Sequence, residues 1–275
     1  MKYFKIFTVV SALALIATTS LPLLAEEGAE EKSWSNTTEL GIVNTTGNSE
    51  TSNFAITNKY ATALGKGTFK LDFDALRTEN TTRVIQNIGG VLVVDETTAV
   101  TAEAYKLNGQ YNRPITERLN WYARAGWYRD EFAGIDNSYS AGAGIGYIFF
   151  TDDTHTLRGE IGLGYVQEKF IDNTDTDFTE LRGFLAYDRE LSATSKLFTE
   201  LEILENLDET SDMRANGLIG VSASLSNRLA LAVSYALKYD AEPPTLTLVD
   251  AGFPDVLYEF DDLDTTLKAS LVINF

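Results

Sequence analysis

The last twelve residues, Asp264-Thr265-Thr266-Leu267-Lys268-Ala269-Ser270-Leu271-Val272-Ile273-Asn274-Phe275, constrain the fold more than any other stretch. Leu267, Ala269, Leu271, Ile273 and Phe275 lie on one face of an extended chain, and Thr266, Lys268, Ser270 and Asn274 on the other. Strict period-two alternation that closes on an aromatic residue is what the final strand of a transmembrane β-barrel requires, because lipid-facing and lumen-facing side chains take turns along the strand.

Read backwards from that strand, the chain divides into twelve alternating runs, 33–43, 50–64, 67–79, 99–112, 117–129, 137–149, 154–168, 177–191, 194–206, 211–225, 228–240 and 263–275. Most reach the roughly nine to eleven residues that a tilted strand needs to cross a bilayer, beyond the five or six usual in soluble sheets. Their connections also alternate. Those at Gly65-Lys66, Pro114-Ile115, Asp152-Asp153, Ala193 and Asn227 are short, and those at 80–98, 130–136, 169–176 and 241–262 are longer, with compact exceptions at Thr46-Gly47-Asn48 and near Asp208. Bacterial barrels pair short periplasmic turns with longer external loops. The expectation is therefore an all-β chain, one antiparallel up-and-down transmembrane barrel of about twelve strands over 33–275, in the bacterial outer membrane.

The parity of the runs assigns their faces. Odd-numbered positions are apolar from Phe69 onward, whereas Leu40, Ile42, Phe54 and Ile56 shift the apolar face to even numbers in the first two strands. On the odd face Tyr105, Trp127, Tyr139, Tyr165 and Tyr239 fall at external strand ends, and Tyr111, Trp121, Tyr147, Phe149, Tyr187 and Phe275 at periplasmic ends. Two such belts are the girdles of a membrane barrel. A soluble sandwich would also alternate, but its apolar face would be a core with no cause to gather Tyr and Trp at strand ends.

Residues 1–25 carry Lys2 and Lys5, an apolar run, and Pro22-Leu23-Leu24-Ala25 before Glu26-Glu27, the layout of a cleaved signal peptide. An acidic tail, 26–32, follows it. A net charge of −18 makes nucleic acid an unsuitable partner. The absence of cysteine removes disulfides, thiol catalysis, zinc-thiolate and iron–sulfur sites and lipoprotein anchoring together.

The even, lumen-facing positions hold Lys70, Lys106, Arg124, Arg158, Arg182, Lys238 and Lys268 with Asp72, Asp74, Glu160, Glu168, Glu180, Asp188, Glu200 and Glu202. Near-balance inside places the excess negative charge in loops and tail. Twelve strands lie between the eight whose interior fills with side chains and the sixteen that leave an aqueous channel, so opposite lumen charges can meet and narrow a pore.

Several short segments in order, Thr46-Gly47-Asn48-Ser49, Arg129-Asp130-Glu131-Phe132, Gly144-Ile145-Gly146-Tyr147, Leu225-Ser226-Asn227-Arg228-Leu229, Val233-Ser234-Tyr235, Tyr239-Asp240-Ala241-Glu242-Pro243-Pro244 and Asn274-Phe275, make the chain resemble the YdiY-like family of salt-induced outer-membrane proteins, whose function is not established. The resemblance covers nearly the whole chain after the signal peptide and implies an outer-membrane barrel with no assigned reaction or ligand. The stretch 245–262 is longer than that family suggests.

The remaining candidate sites have plainer readings beside the functional ones. Thr46-Gly47-Asn48-Ser49 fits a hairpin tip needing positive φ. Gly142, Gly144, Gly146, Gly162 and Gly164 form a lumen patch that makes room for Tyr122 or Phe184, or lets the sheet bend. The pairs Asp72/Asp74 and Glu200/Glu202 could serve a barrel hydrolase as acid and base, or belong to the ion network. His155, the one histidine, sits in a periplasmic turn, so a Ser-His-Asp constellation is not expected. Acidic loops at Asp130–Glu131, Asp172–Asp177, Asp208–Asp212 and Glu259–Asp264 could hold divalent cations against lipopolysaccharide, although no dedicated calcium loop is spelled out. No cofactor or catalytic residue is expected. The expected partners are outer-membrane lipid, lipopolysaccharide and the barrel assembly machinery, with Phe275 resembling the terminal signal which that machinery reads.

Overall fold

A computed structural model describes residues 33–45, 50–88, 91–248 and 256–275. The expected signal peptide 1–25, the expected tail 26–32 and the Thr46–Ser49 tip lie outside the described residues. Twelve strands close on themselves: β1 (Trp34–Thr45), β2 (Glu50–Leu64), β3 (Gly67–Ile88), β4 (Val91–Pro114), β5 (Leu119–Asp130), β6 (Ile135–Thr151), β7 (His155–Phe170), β8 (Asp175–Ser192), β9 (Ser195–Asn206), β10 (Met213–Ser224), β11 (Leu229–Asp240) and β14 (Leu263–Asn274). Each pairs antiparallel with its sequence neighbour, and β14 returns to β1 with Leu271 opposite Leu40. The backbone N–H of Phe275 donates to the Asn36 carbonyl at 2.9 Å, so the terminal aromatic stands beside the first strand.

Two connections differ from expectation. The segment 80–98, read above as a loop, continues the ladder instead: β3 runs to Ile88 and β4 starts at Val91, with a bulge at Thr78/Glu79. Thr- and Val-rich runs on both arms favour an extended ribbon over an open loop. The last external loop carries its own hairpin, β12 (Thr245–Leu248) with β13 (Val256–Glu259).

The distribution of burial is inside-out relative to a soluble domain. Leu163, Val233 and Leu267 are 57, 54 and 74% exposed on the outer surface, whereas the buried set includes Glu168, Glu180, Arg182, Ser234 and Ser270. The parity reading holds along the strand bodies: outward residues are odd from β3 onward and Phe54 in β2 is exposed at an even position, with exceptions at the β6 bulges, where Phe150 is exposed and Ile135 buried. An apolar exterior has no driving force in water but the full transfer free energy in lipid. The ladder closes on itself, β1 and β14 meeting over Thr37–Leu40 and Leu271–Asn274, and closure is the condition for a sheet to span a membrane. The protein is a transmembrane barrel of the bacterial outer membrane.

The girdle residues have the amphipathic contacts that an interface demands. Externally, the Tyr105 hydroxyl donates to Glu103 at 3.0 Å, the Trp127 indole to Asn137 at 3.0 Å and the Tyr165 hydroxyl to Asp177 at 2.6 Å. On the other rim Tyr111 packs edge-on against Trp121, Tyr147 against Phe149, and Tyr187 shares a hydrogen bond with His155. Trp34 stacks on Tyr60 in the two strands of reversed parity and completes that belt. The short turns on this rim are tightly tied. Backbone N–H groups of Thr154 and His155, with the Thr154 hydroxyl, donate to Asp152 and hold its carboxyl below the usual carboxylate range.

Short turns mark the periplasmic side. Because the chain has no cysteine, single cysteines report this directly. Asn173→Cys in the β7–β8 connection is expected to react with a membrane-impermeant maleimide on intact cells, and Asp153→Cys only after the outer membrane is opened. The opposite pattern would invert the orientation.

Candidate functional site in the barrel lumen

Polar side chains converge inside the barrel, because every second residue of twelve strands points there. The centre of the network is Glu202 on β9. Its Oε1 accepts from Arg182 Nε on β8 at 2.6 Å and from Arg124 Nη1 on β5 at 3.1 Å, and its Oε2 from Asn216 on β10 at 3.3 Å. Arg182 Nη1 donates to Glu160 on β7 at 2.8 Å, and Gln110 of β4 donates to the other oxygen of Glu160 at 3.0 Å. These groups are largely withdrawn from water: the side chains of Arg182, Glu160, Arg124 and Glu202 are 8, 11, 13 and 13% exposed.

Tyr122 anchors the cluster. It is 1% exposed, and its ring lies 5.7 Å from the Arg182 guanidinium. The glycines of β6 and β7 explain its position, since a Cβ on Gly144 or Gly162 would collide with the Tyr122 hydroxyl. Of the two bulky residues expected to use this notch, Tyr122 is the one it accommodates.

Two contacts cross the lumen between strands on opposite sides of the barrel. Lys238 Nζ on β11 donates to the Tyr128 hydroxyl on β5 at 2.6 Å, and Tyr128 donates to Asp130 at 2.8 Å; β11 and β5 stand six places apart in the ring. Lys59 on β2 meets Glu200 on β9 at 3.8 Å, five places away. Nearer the external rim, Arg214 on β10 takes Glu168 at 2.6 Å and lies within 3.3–3.4 Å of Asp212 and Asp240. On the periplasmic side Asp188 receives Arg158 at 3.2 Å and Lys196 at 3.3 Å. Lys268 bonds Glu39 at 2.8 Å across the β14–β1 seam.

The charged positions expected on the lumen face from the alternation do not form one cluster. Arg124, Glu160, Arg182 and Glu202 come together. Glu200, Lys238, Arg158 and Lys268 find separate partners, Asp74 accepts from Thr57 at 2.8 Å, and among the described residues Lys70, Asp72 and Lys106 have no ion pair within 4 Å. The residues missed are Glu39 and Lys59, on the strands of reversed parity, together with Arg214, Lys196 and Tyr128. The parity shift already visible in Leu40 and Phe54 was the signal that places Glu39 and Lys59 inside.

The acidic loops have local uses. Asp172 accepts from Thr174, and Asp208 from the backbone N–H of Thr179. Among the described residues no group of three acidic or histidine side chains converges as a cation would need.

A family model described as a protein of unknown function, DUF481, matches residues 38–275. The chain belongs to the DUF481 family. A curated relative of this DUF481 protein is the uncharacterized protein YdiY of Escherichia coli K12, 24% identical over 146 residues, 52% of this chain and 56% of YdiY. The match thus spans about half the length of that relative. Solved structures similar to this DUF481 chain include the anion-selective porin of Comamonas acidovorans, at 10% identity and TM-score 0.39 over 88% of this chain and 98% of that one. The translocator domain of the autotransporter NalP from Neisseria meningitidis is similar at 12% identity and TM-score 0.41, over 88 and 86% of the two chains. The barrel itself is established by the closed strand pairing described above.

Proposed function

We propose that this DUF481 barrel is a narrow, water-filled passage through the outer membrane, constricted by its own ionic side chains. The observation that carries the reading is the gradient of exposure inside the lumen. Side chains of Lys59, Lys196 and Arg158 are 48, 42 and 36% exposed although they point inward, whereas Arg182 and Glu202 on the β5–β9 wall are about four-fifths or more withdrawn. Water reaches the first group, on β2, β9 and β7, and is largely excluded from the second, so water enters the lumen beside a closed Arg182–Glu202 cluster. An interior filled for stability alone would favour apolar packing, because a buried ion pair returns little beyond its desolvation cost.

The rival reading is a closed structural barrel, favoured by the crossing Lys238–Tyr128 bond. A hydrolase is the less supported alternative: Glu202 and Glu200 are both committed to cations, and Asp74 to Thr57.

Planar-bilayer recording separates the readings. The folded protein is expected to give small single-channel steps, and Lys59→Ala with Glu200→Ala, which removes a bar across the lumen, is expected to raise them severalfold. Exposed pairs of this type contribute about 0–1 kcal/mol, so the double variant should still fold. Silence from both proteins, each heat-modifiable on gels, would leave the structural reading.

A further inference from the structure

Most lumen charges are matched; besides Glu180 on β8, the exceptions among the described residues fall on two neighbouring strands. Lys70, Asp72 and Asp74 occupy successive inward positions of β3, and Lys106, Asn108 and Gln110 stand opposite them on β4 in the register Asp74↔Lys106, Asp72↔Asn108, Lys70↔Gln110. Successive rungs on one strand are about 6.6 Å apart. Asp74 and Lys106 are directly opposed, a spacing at which β-carbons lie about 5 Å apart and opposite charges ordinarily pair.

Here they do not. The Asp74 carboxylate accepts from the Thr57 hydroxyl at 2.8 Å, and the oxygen of Thr57 in turn accepts from Lys268 at 3.2 Å. Lys106 makes no ion pair within 4 Å among the described residues. The opposed ammonium and carboxylate therefore make no ion pair with each other. Asp72, two residues from Asp74 on the same face, also lacks an ion pair among the described residues. At its periplasmic end the ladder meets the Arg182–Glu202 cluster, where Gln110 donates to Glu160 at 3.0 Å.

We propose that the β3–β4 ladder is a binding track for small zwitterions, solutes carrying a cationic nitrogen and a carboxylate a few ångströms apart. The cationic end lies against Asp72 and Asp74, and the carboxylate against Lys106, with Asn108 between them as a neutral hydrogen-bonding rung. A simple cation gains at the aspartates but is repelled by Lys70 and Lys106, and a simple anion meets the reverse; a dipole of matching length gains at both ends. The track rests on the passage proposed above.

Proteoliposome swelling in glycine and in glycerol, a neutral solute of similar size, tests it, with potassium chloride conductance recorded on the same preparation. Glycine is expected to enter faster by a factor on the order of ten, the scale of one charge-assisted contact. The ratio is expected to fall to about one in Asp72→Asn/Asp74→Asn and in Lys106→Gln. Equal entry of the two solutes into conducting wild-type vesicles would overturn the track and leave the passage standing, as would a glycine preference unchanged in folded forms of both variants. Absence of both conductance and swelling from folded wild-type protein would overturn the passage and the track together.

Discussion

Arginine at Leu163 is expected to cost the barrel about 2–4 kcal/mol, and arginine at Thr179 no more than about 1 kcal/mol. Leu163 is 57% exposed on β7, with Ile161 at 53% one rung towards the periplasm and the girdle residue Tyr165 one rung towards the outside. Its guanidinium would have to reach water past a full belt of side chains. Thr179 is the cross-strand partner of Tyr165 and therefore sits at the interface, where an arginine extends directly among headgroups. Urea titrations of folding into vesicles measure both costs. In a water-soluble barrel an exposed Leu→Arg change falls within about 0.5 kcal/mol of neutral, so equal, small effects at the two positions would contradict the membrane reading. The difference between the sites carries the information, because any general effect of arginine on the denatured chain cancels in it.

That contrast draws on the part of the fold most legible in the amino acids. Alternation at period two in Leu267–Phe275, carried back through Leu229–Val233 and Ile161–Leu163, gives each residue a face without knowledge of its neighbours. Belts of Tyr and Trp then give it a height. Length of pairing was less legible: β3 and β4 continue to Ile88 and Val91 because Thr, Val and Ile on both arms support a ladder, a feature that polar residues such as Glu79, Asn80 and Arg83 obscure along one chain. In the lumen, alternation identifies which charges enter but not their partners. Glu202 and Arg124 are 78 residues apart, and Lys238 and Tyr128 are 110 apart. Those pairings depend on closure and strand stagger, which bring distant strands to one level. The notch for Tyr122 was intermediate: five glycines on facing positions announced missing side chains, and only the closed barrel shows whose ring uses the space.

Arg182→Met is expected to destabilise the barrel by about 3–5 kcal/mol, the range for removing one partner of a buried ionic group. Arg182 is 8% exposed and binds both Glu160 and Glu202, whose side chains are 11 and 13% exposed. The methionine fills much of the volume but leaves two carboxylates in a water-poor wall. Glu202 retains Arg124 and Asn216, whereas among the described residues Glu160 retains only Gln110 as a hydrogen-bond partner. The larger part of the cost is therefore expected at Glu160. Adding Glu160→Gln to Arg182→Met should recover stability, since a neutral amide is far cheaper to hold there than an unpaired carboxylate. By contrast, Glu200→Gln breaks a 3.8 Å pair whose partners are 35 and 48% exposed, and should cost less than about 1 kcal/mol. Denaturant unfolding of the four proteins in one detergent or lipid orders them directly. If Arg182→Met were as mild as Glu200→Gln, the Arg182–Glu202 cluster would have to admit water freely, and the contrast between water-poor and wetted lumen charges, on which the passage depends, would fail.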